Sequence, residues 1–178
     1  MTYFINLLTL SRIFIAVVIF LLLTRPEGYF LAFILFFVAG ATDYFDGYLA
    51  RKYNFTSEIG EILDPISDKI LIVFVLFGLS VNLTSYFIAF MASLIITREI
   101  WVGALRDFNA RQGRSGATKV TFLAKIKTTI QLFTITIYLL GLTLNNMLLI
   151  LFGDMFLFLS LLITIYTGYI YSYNSFKN

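Results

Sequence analysis

Residues 41–70 read "ATDYFDGYLARKYNFTSEIGEILDPISDKI", and Asp43, Asp46, Asp64 and Asp68 stand in it as two pairs on either side of the polar break "RKYNFTS". Taken as helices with about 100° between successive residues, the two flanks each form one stripe. Relative to Asp43, Asp46 lies at about −60°, Ala50 at about −20°, Gly47 at about +40° and Arg51 at about +80° around the helix. On the next helix Gly60, Asp64 and Asp68 advance by about 40° a step and share a face. The turn is centred near Asn54, so Asp43 and Asp64 each sit about 15 Å along their helices from it, at ~1.5 Å rise per residue. An antiparallel pair is therefore expected to bring the carboxylates together across one gap. Four carboxylates held together repel one another, and a positive partner must join them.

The rest of the chain is greasy. Of 178 residues, 60% are hydrophobic and only 13% charged, with mean hydropathy +0.89. Soluble domains carry roughly 25% charged residues, so the composition indicates an integral membrane protein. An ionisable residue near a bilayer is costly and marks a functional site by default. The net charge of +3 is too small to suggest nucleic-acid binding. There is no Cys and no His, which excludes disulfides, thiolate chemistry, an imidazole base and the commonest zinc ligand. Oxygen ligands alone point to Mg²⁺, Mn²⁺ or Ca²⁺ as the positive partner of the aspartates. No cleavable signal is expected, since the first apolar run lacks a basic flank and a small-residue cleavage site.

A spanning helix needs about 20 mostly apolar residues. Six runs meet or approach that length, at roughly 5–24, 29–52, 57–80, 83–106, 120–143 and 146–172. The expected fold is an all-α, polytopic membrane protein of six transmembrane helices forming one domain over residues 1–178. With both termini on one side, Arg12, Arg51, Lys52, Arg106, Arg111, Arg114, Lys119 and Lys177 gather there, and Arg25 lies opposite. The positive-inside rule makes the basic side cytoplasmic, with both termini. Six of the ten acids fall between residues 43 and 68, at that side. The chemistry is expected to face the cytoplasm.

Written out, the stretch is Asp43-x2-Asp46-Gly47-x2-Ala50-Arg51-x8-Gly60-x3-Asp64-x3-Asp68. This resembles the signature of the CDP-alcohol phosphotransferases at each of its eight fixed positions and in every spacing. "NLLTLSR" looks like the family's first helix, with Asn6, Thr9 and Arg12 where nucleotide contacts are expected. "TREIWVGALRDFNARQG" and "AKIKTTIQ" are similar to stretches of bacterial phosphatidylglycerophosphate synthases, with Ala124 where that subfamily has Gly.

The resemblance implies transfer of a phosphatidyl group from CDP-diacylglycerol to an alcohol, with CMP leaving and one or two Mg²⁺ or Mn²⁺ ions assisting. By residue-for-residue carry-over, Asp43, Asp46, Asp64 and Asp68 are the metal ligands and Asp68 is also the catalytic base. Asn6, Thr9, Gly47, Ala50, Arg51 and Gly60 would bind the CDP moiety. If the acceptor is glycerol 3-phosphate, its phosphate needs cations, and Arg98, Arg106, Lys125 and Lys127 are the candidates on the inner side. Positive-inside anchoring is the competing explanation for each of them, and a structural pair with Glu99 competes for Arg98. The family further implies a homodimer among membrane lipids, in a bacterial inner membrane. Phosphatidylglycerol, serine or inositol phosphate as acceptor is the rival within the family. An intramembrane prenyltransferase and a cation transporter are rivals outside it. Glu58, Glu61 and Asp154 are expected to be structural, and Trp101 has no assigned role.

Overall fold

The computed structural model describes the backbone of residues 2–53, 58–114, 116 and 122–177, and the side chains of these except 2–8, 44, 46–53, 58–62, 64, 65 and 124. Among them there is no strand. Six helices follow in order: α1 (Thr2–Leu22), α2 (Tyr29–Tyr53), α3 (Glu58–Asn82), α4 (Tyr86–Arg111), α5 (Phe122–Thr143) and α6 (Met147–Phe176). They fall on the six apolar runs. Tyr86–Arg111, Lys125–Thr143 and Met147–Phe176 are long and apolar enough to cross a membrane by length and composition.

Local chemistry sets the breaks at one end of the bundle. Pro26 opens a short 3-10 turn, Pro26–Gly28, between α1 and α2. A Cβ at Gly28 would meet the Leu22 carbonyl oxygen at 2.3 Å, so only glycine lets the turn close onto α1. Ser85 caps α4 by accepting from the Ile88 amide at 3.3 Å, and Asn146 caps α6 by accepting from Leu148 at 3.0 Å. Asn145 takes a left-handed φ of 49°, which Asn tolerates better than most residues. The Asn82 side chain donates to the Leu23 carbonyl and to the Tyr29 hydroxyl, both at 2.7 Å, tying the end of α3 to the α1–α2 turn.

Packing puts α1 between α2 and α3, while α6 lies against α4 and α5; α3 and α5 join the two halves. Thr9, Arg12, Ala16, Ile19 and Leu23 form one fully buried stripe on α1 at alternating spacings of three and four. Its later members are apolar and join Phe36, Leu76, Leu79, Ile88, Ile135 and Leu139 in the core. Its first two are polar, and most of the long buried polar side chains follow the same trend. Thr9, Arg12, Ser67, Arg98, Asn109, Lys127, Gln131 and Thr167 are all buried, and alternating helix direction places them in the half of the bundle that bears Asp43 and Asp68. The outer surface carries Phe14, Phe30, Phe122 and Met155 largely exposed, as suits a surface facing lipid rather than water.

At the opposite half, the Tyr138 hydroxyl donates to Asp154 at 2.6 Å. A Cβ at Gly153 would meet the Tyr138 ring at 2.7 Å, so that glycine admits the ring between α5 and α6. Asp154 is thus engaged with a neighbouring helix.

Candidate active site

Arg12 organises the aspartate site. It is 0% exposed, and its Nη1 donates to Asp43 Oδ1 of α2 and to Asp68 Oδ1 of α3, each at 2.5 Å. The two carboxylate oxygens are therefore no more than twice that distance apart. Arg12 Nη2 reaches Thr9 Oγ1 at 3.5 Å, one turn earlier on the same buried stripe. Three helices thus meet on one guanidinium. The carboxylates are about half exposed, with side-chain exposures of 52% for Asp43 and 47% for Asp68.

The expected convergence of α2 and α3 carboxylates is seen for this pair. A positive partner was expected to join them, with a metal ion proposed for that part; here α1 brings the buried Arg12 guanidinium to their meeting point. The Asp46, Arg51, Asp64, Ala50 and Asn6 side chains, with Gly47 and Gly60, lie outside the residues whose side chains are described. Their backbones are helical: Asp46 follows Asp43 by one turn of α2, and Asp64 precedes Asp68 by one turn of α3.

A second charged cluster lies among α4, α5 and α6. Arg98 Nη1 pairs with Glu99 Oε1 at 2.8 Å, and the Lys127 Nζ pairs with the same Glu99 oxygen. Arg98 Nη2 donates to Thr167 Oγ1 at 2.6 Å. Arg98 is 9% exposed and Lys127 6%, an environment in which ionised groups persist only when paired. Lys69, the residue after Asp68, lies within electrostatic range of Glu99 and Lys127. The Arg98 and Arg106 guanidinium carbons stand 5.7 and 5.8 Å from the centre of the Tyr171 ring.

Of the four cations singled out in the sequence, Arg98 and Lys127 are therefore brought together, and Arg106 joins Arg98 at one aromatic ring. Lys125 is exposed and lies about 200° from Lys127 around α5, so the two do not share a face. The Glu99 pairing with Arg98 that competed with a functional role is present, and it extends to Lys127. Sequence reasoning missed Lys69, Gln131, Thr167 and Tyr171. The signal for Gln131 was the buried polar series Lys127, Gln131 and Thr134, which recurs at helical spacing. Trp101 has a partner too, donating to Ser172 Oγ at 2.8 Å.

The model of the CDP-alcohol phosphatidyltransferase family matches residues 3–166. The chain belongs to this family. The match takes in both clusters except the part of α6 after residue 166. A Rickettsia bellii protein named CDP-diacylglycerol–glycerol-3-phosphate 3-phosphatidyltransferase is 39% identical over 169 residues, covering 93% of this chain and 91% of that protein. An Escherichia coli K12 protein of the same name is 35% identical over 129 residues, covering 71% of each. Membership agrees with the signature that runs from Asp43 to Asp68, and the fold shows two of its aspartates meeting across helices.

Proposed function

We propose that this chain transfers the phosphatidyl group of CDP-diacylglycerol to glycerol 3-phosphate, giving phosphatidylglycerophosphate and CMP. The observation that carries the reading is the meeting of Asp43 and Asp68 on one nitrogen of Arg12. It supports a polar site where α1, α2 and α3 meet, in a protein whose outer surface is largely apolar. The names of the two relatives supply the donor and the acceptor. One domain of six membrane-spanning helices, with both termini and the active site on the cytoplasmic side of a bacterial inner membrane, completes the reading, together with surrounding lipid and a homodimeric state.

The donor types fit a hard divalent cation, being carboxylate oxygens alone, and two of them, Asp43 and Asp68, are gathered on Arg12 with about half of each side chain exposed. Asp43, Asp46, Asp64 and Asp68 would hold one or two Mg²⁺ or Mn²⁺ ions. When bound, such ions neutralise a diphosphate and favour charge on its entering and leaving oxygens. Arg12 offsets the repulsion between Asp43 and Asp68 and holds their oxygens at a fixed separation. Asn6, Thr9, Gly47, Ala50, Arg51 and Gly60 border the CDP moiety. Asp68 accepts the proton of the acceptor hydroxyl as its oxygen bonds to the phosphorus bearing diacylglycerol, and the bond from that phosphorus to the CMP oxygen breaks. Lys69 follows Asp68 on α3, on the side of the Arg98–Glu99–Lys127 cluster.

Arg98→Ala and Lys127→Ala are each expected to raise the KM for glycerol 3-phosphate about tenfold or more, because each removes a charged partner of the phosphate. The KM for CDP-diacylglycerol should stay within about twofold, since no direct contact to the donor is lost. Steady-state CMP release by detergent-purified variants decides it, with serine, inositol 1-phosphate and phosphatidylglycerol run as alternative acceptors. An unchanged acceptor KM with a raised donor KM would place these cations at the donor instead. Turnover with one of the other acceptors alone would overturn the choice of glycerol 3-phosphate.

A further inference from the structure

The last helix lies beyond the sequence signature, and the family match stops at residue 166. Yet the next residues of α6 make the closest inter-helix contacts to the arginines of the second cluster. Thr167 Oγ1 accepts from Arg98 Nη2 at 2.6 Å and can donate back to the Ile163 or Thr164 carbonyl of its own helix, at 2.9 and 3.0 Å. A Cβ on Gly168 would fall 3.1 Å from Arg98 Cγ and 3.2 Å from its Nε, so the arginine lies flat on bare backbone. Tyr171, one turn on and 1% exposed, has both the Arg98 and the Arg106 guanidinium beside its ring. The Nε of Arg98 is buried and has no hydrogen-bond partner among the described residues. Glu99 and Thr167 thus do not use every donor of the guanidinium.

We propose that Thr167, Gly168 and Tyr171 form a seat on α6 that aims Arg98 and Arg106 at the acceptor phosphate, as positioning residues for the transfer. The inference rests on the reading that these arginines bind that phosphate. Physically, a guanidinium is useful to a phosphate when its fork is held in one orientation before binding, so that little side-chain freedom is lost on contact. Each element of the seat contributes to this: a hydrogen-bond acceptor at one Nη, a surface with no side chain under the stem, and an aromatic ring close to both guanidinium groups. Asn109 donates to Ser175 at 2.7 Å and Trp101 to Ser172 at 2.8 Å, which pins α4 to α6 beside the seat.

The test is a kinetic comparison of the full-length protein with Thr167→Val, Thr167→Ser, Gly168→Ala, Tyr171→Leu and Tyr171→Phe, with Arg98→Ala alongside. Thr167→Val should raise the KM for glycerol 3-phosphate about tenfold, and Tyr171→Leu about threefold to tenfold. Gly168→Ala should also raise it, because the arginine must shift by a few tenths of an ångström. The KM for CDP-diacylglycerol should hardly move, and a clearly lower thermal midpoint is expected only for Tyr171→Leu, which empties a buried ring site. Thr167→Ser keeps the hydroxyl and Tyr171→Phe keeps the ring, so each should recover most of the acceptor affinity lost in its partner variant. If Arg98→Ala raises the acceptor KM while all three disruptive α6 variants leave it unchanged, the seat is wrong and the phosphate reading stands. If Arg98→Ala leaves it unchanged, the phosphate reading is wrong and the seat goes with it. Losses that fall equally on kcat, both KM values and the thermal midpoint, without recovery in the conservative variants, would reduce α6 to a structural role. Should one disruptive variant not fold, the other two disruptive variants still decide.

Discussion

Asp68→Asn should lower the turnover number for CMP release by about a thousandfold, the middle of the range for losing a positioned proton acceptor and a charged ligand together. Asparagine has nearly the volume of aspartate and keeps an oxygen that can accept from Arg12 Nη1, now 2.5 Å from Asp68 Oδ1. The fold should persist, and the thermal midpoint should move by only a few degrees. What the amide lacks is the charge and the capacity to take a proton. Asp43→Asn should be nearly as damaging, for it removes the α2 charge that meets Asp68 on the same nitrogen. Because the two act at one site, the double variant should be little worse than either single one, the non-additivity expected of residues acting as a unit. Measuring CMP release and thermal unfolding on the same preparations separates chemistry from folding. Turnover within tenfold of wild type in both single variants would remove these aspartates from the mechanism.

Arg12→Met is the second large effect. The substitution keeps an apolar stem in the buried stripe between Thr9 and Ala16 but leaves Asp43 and Asp68 facing one another without their shared partner. Both carboxylates are about half exposed, so water takes up part of the loss, and the cost is set below the roughly 3–5 kcal/mol typical of a broken buried pair. A destabilisation of about 2 kcal/mol is expected, with turnover reduced at least about a hundredfold because the carboxylates no longer hold their separation. A discriminating readout follows from the charge balance. Millimolar Mg²⁺ or Mn²⁺ should raise the thermal midpoint of Arg12→Met more than that of the wild type, since a cation bound only by the folded state stabilises it and takes over the lost charge. Equal shifts would mean that cations do not bind where Arg12 sits.

Much of the fold was legible in the residues. Six apolar runs separated by "TRPEGY", "SVNLTS" and "LTLNN" gave six helices because Pro26, Ser85 and Asn146 are start signals in their own right. The fourth helix was expected to stop near residue 106, where the polar stretch begins; it continues to Arg111 and ends where Gly113 takes a φ of 68°. Polarity marks where a helix leaves an apolar medium, while a left-handed residue marks where it ends. Helical spacing led to the expectation that α2 and α3 bring carboxylates together; of the four, Asp43 and Asp68 are seen to meet, where the turn geometry had set Asp43 level with Asp64. The place of α1 did not follow from it, because spacing within a helix says which residues share a face and not which helix packs between two others. The stripe Thr9, Arg12, Ala16, Ile19, Leu23 carried that information, and its buried arginine was its clearest member. The seat on α6 was illegible for a related reason. Thr167, Gly168 and Tyr171 are ordinary residues for a membrane helix, and only their contacts with Arg98 distinguish them.

The most direct measurement is CMP release from CDP-diacylglycerol by the purified, folded protein, with glycerol 3-phosphate present or absent and with divalent cation supplied or chelated. Release should require glycerol 3-phosphate, stop on chelation and return when Mg²⁺ or Mn²⁺ is added back. Release that ignores the chelator, or no release under any of these conditions, would contradict a divalent-cation phosphatidyl transfer at Asp43 and Asp68.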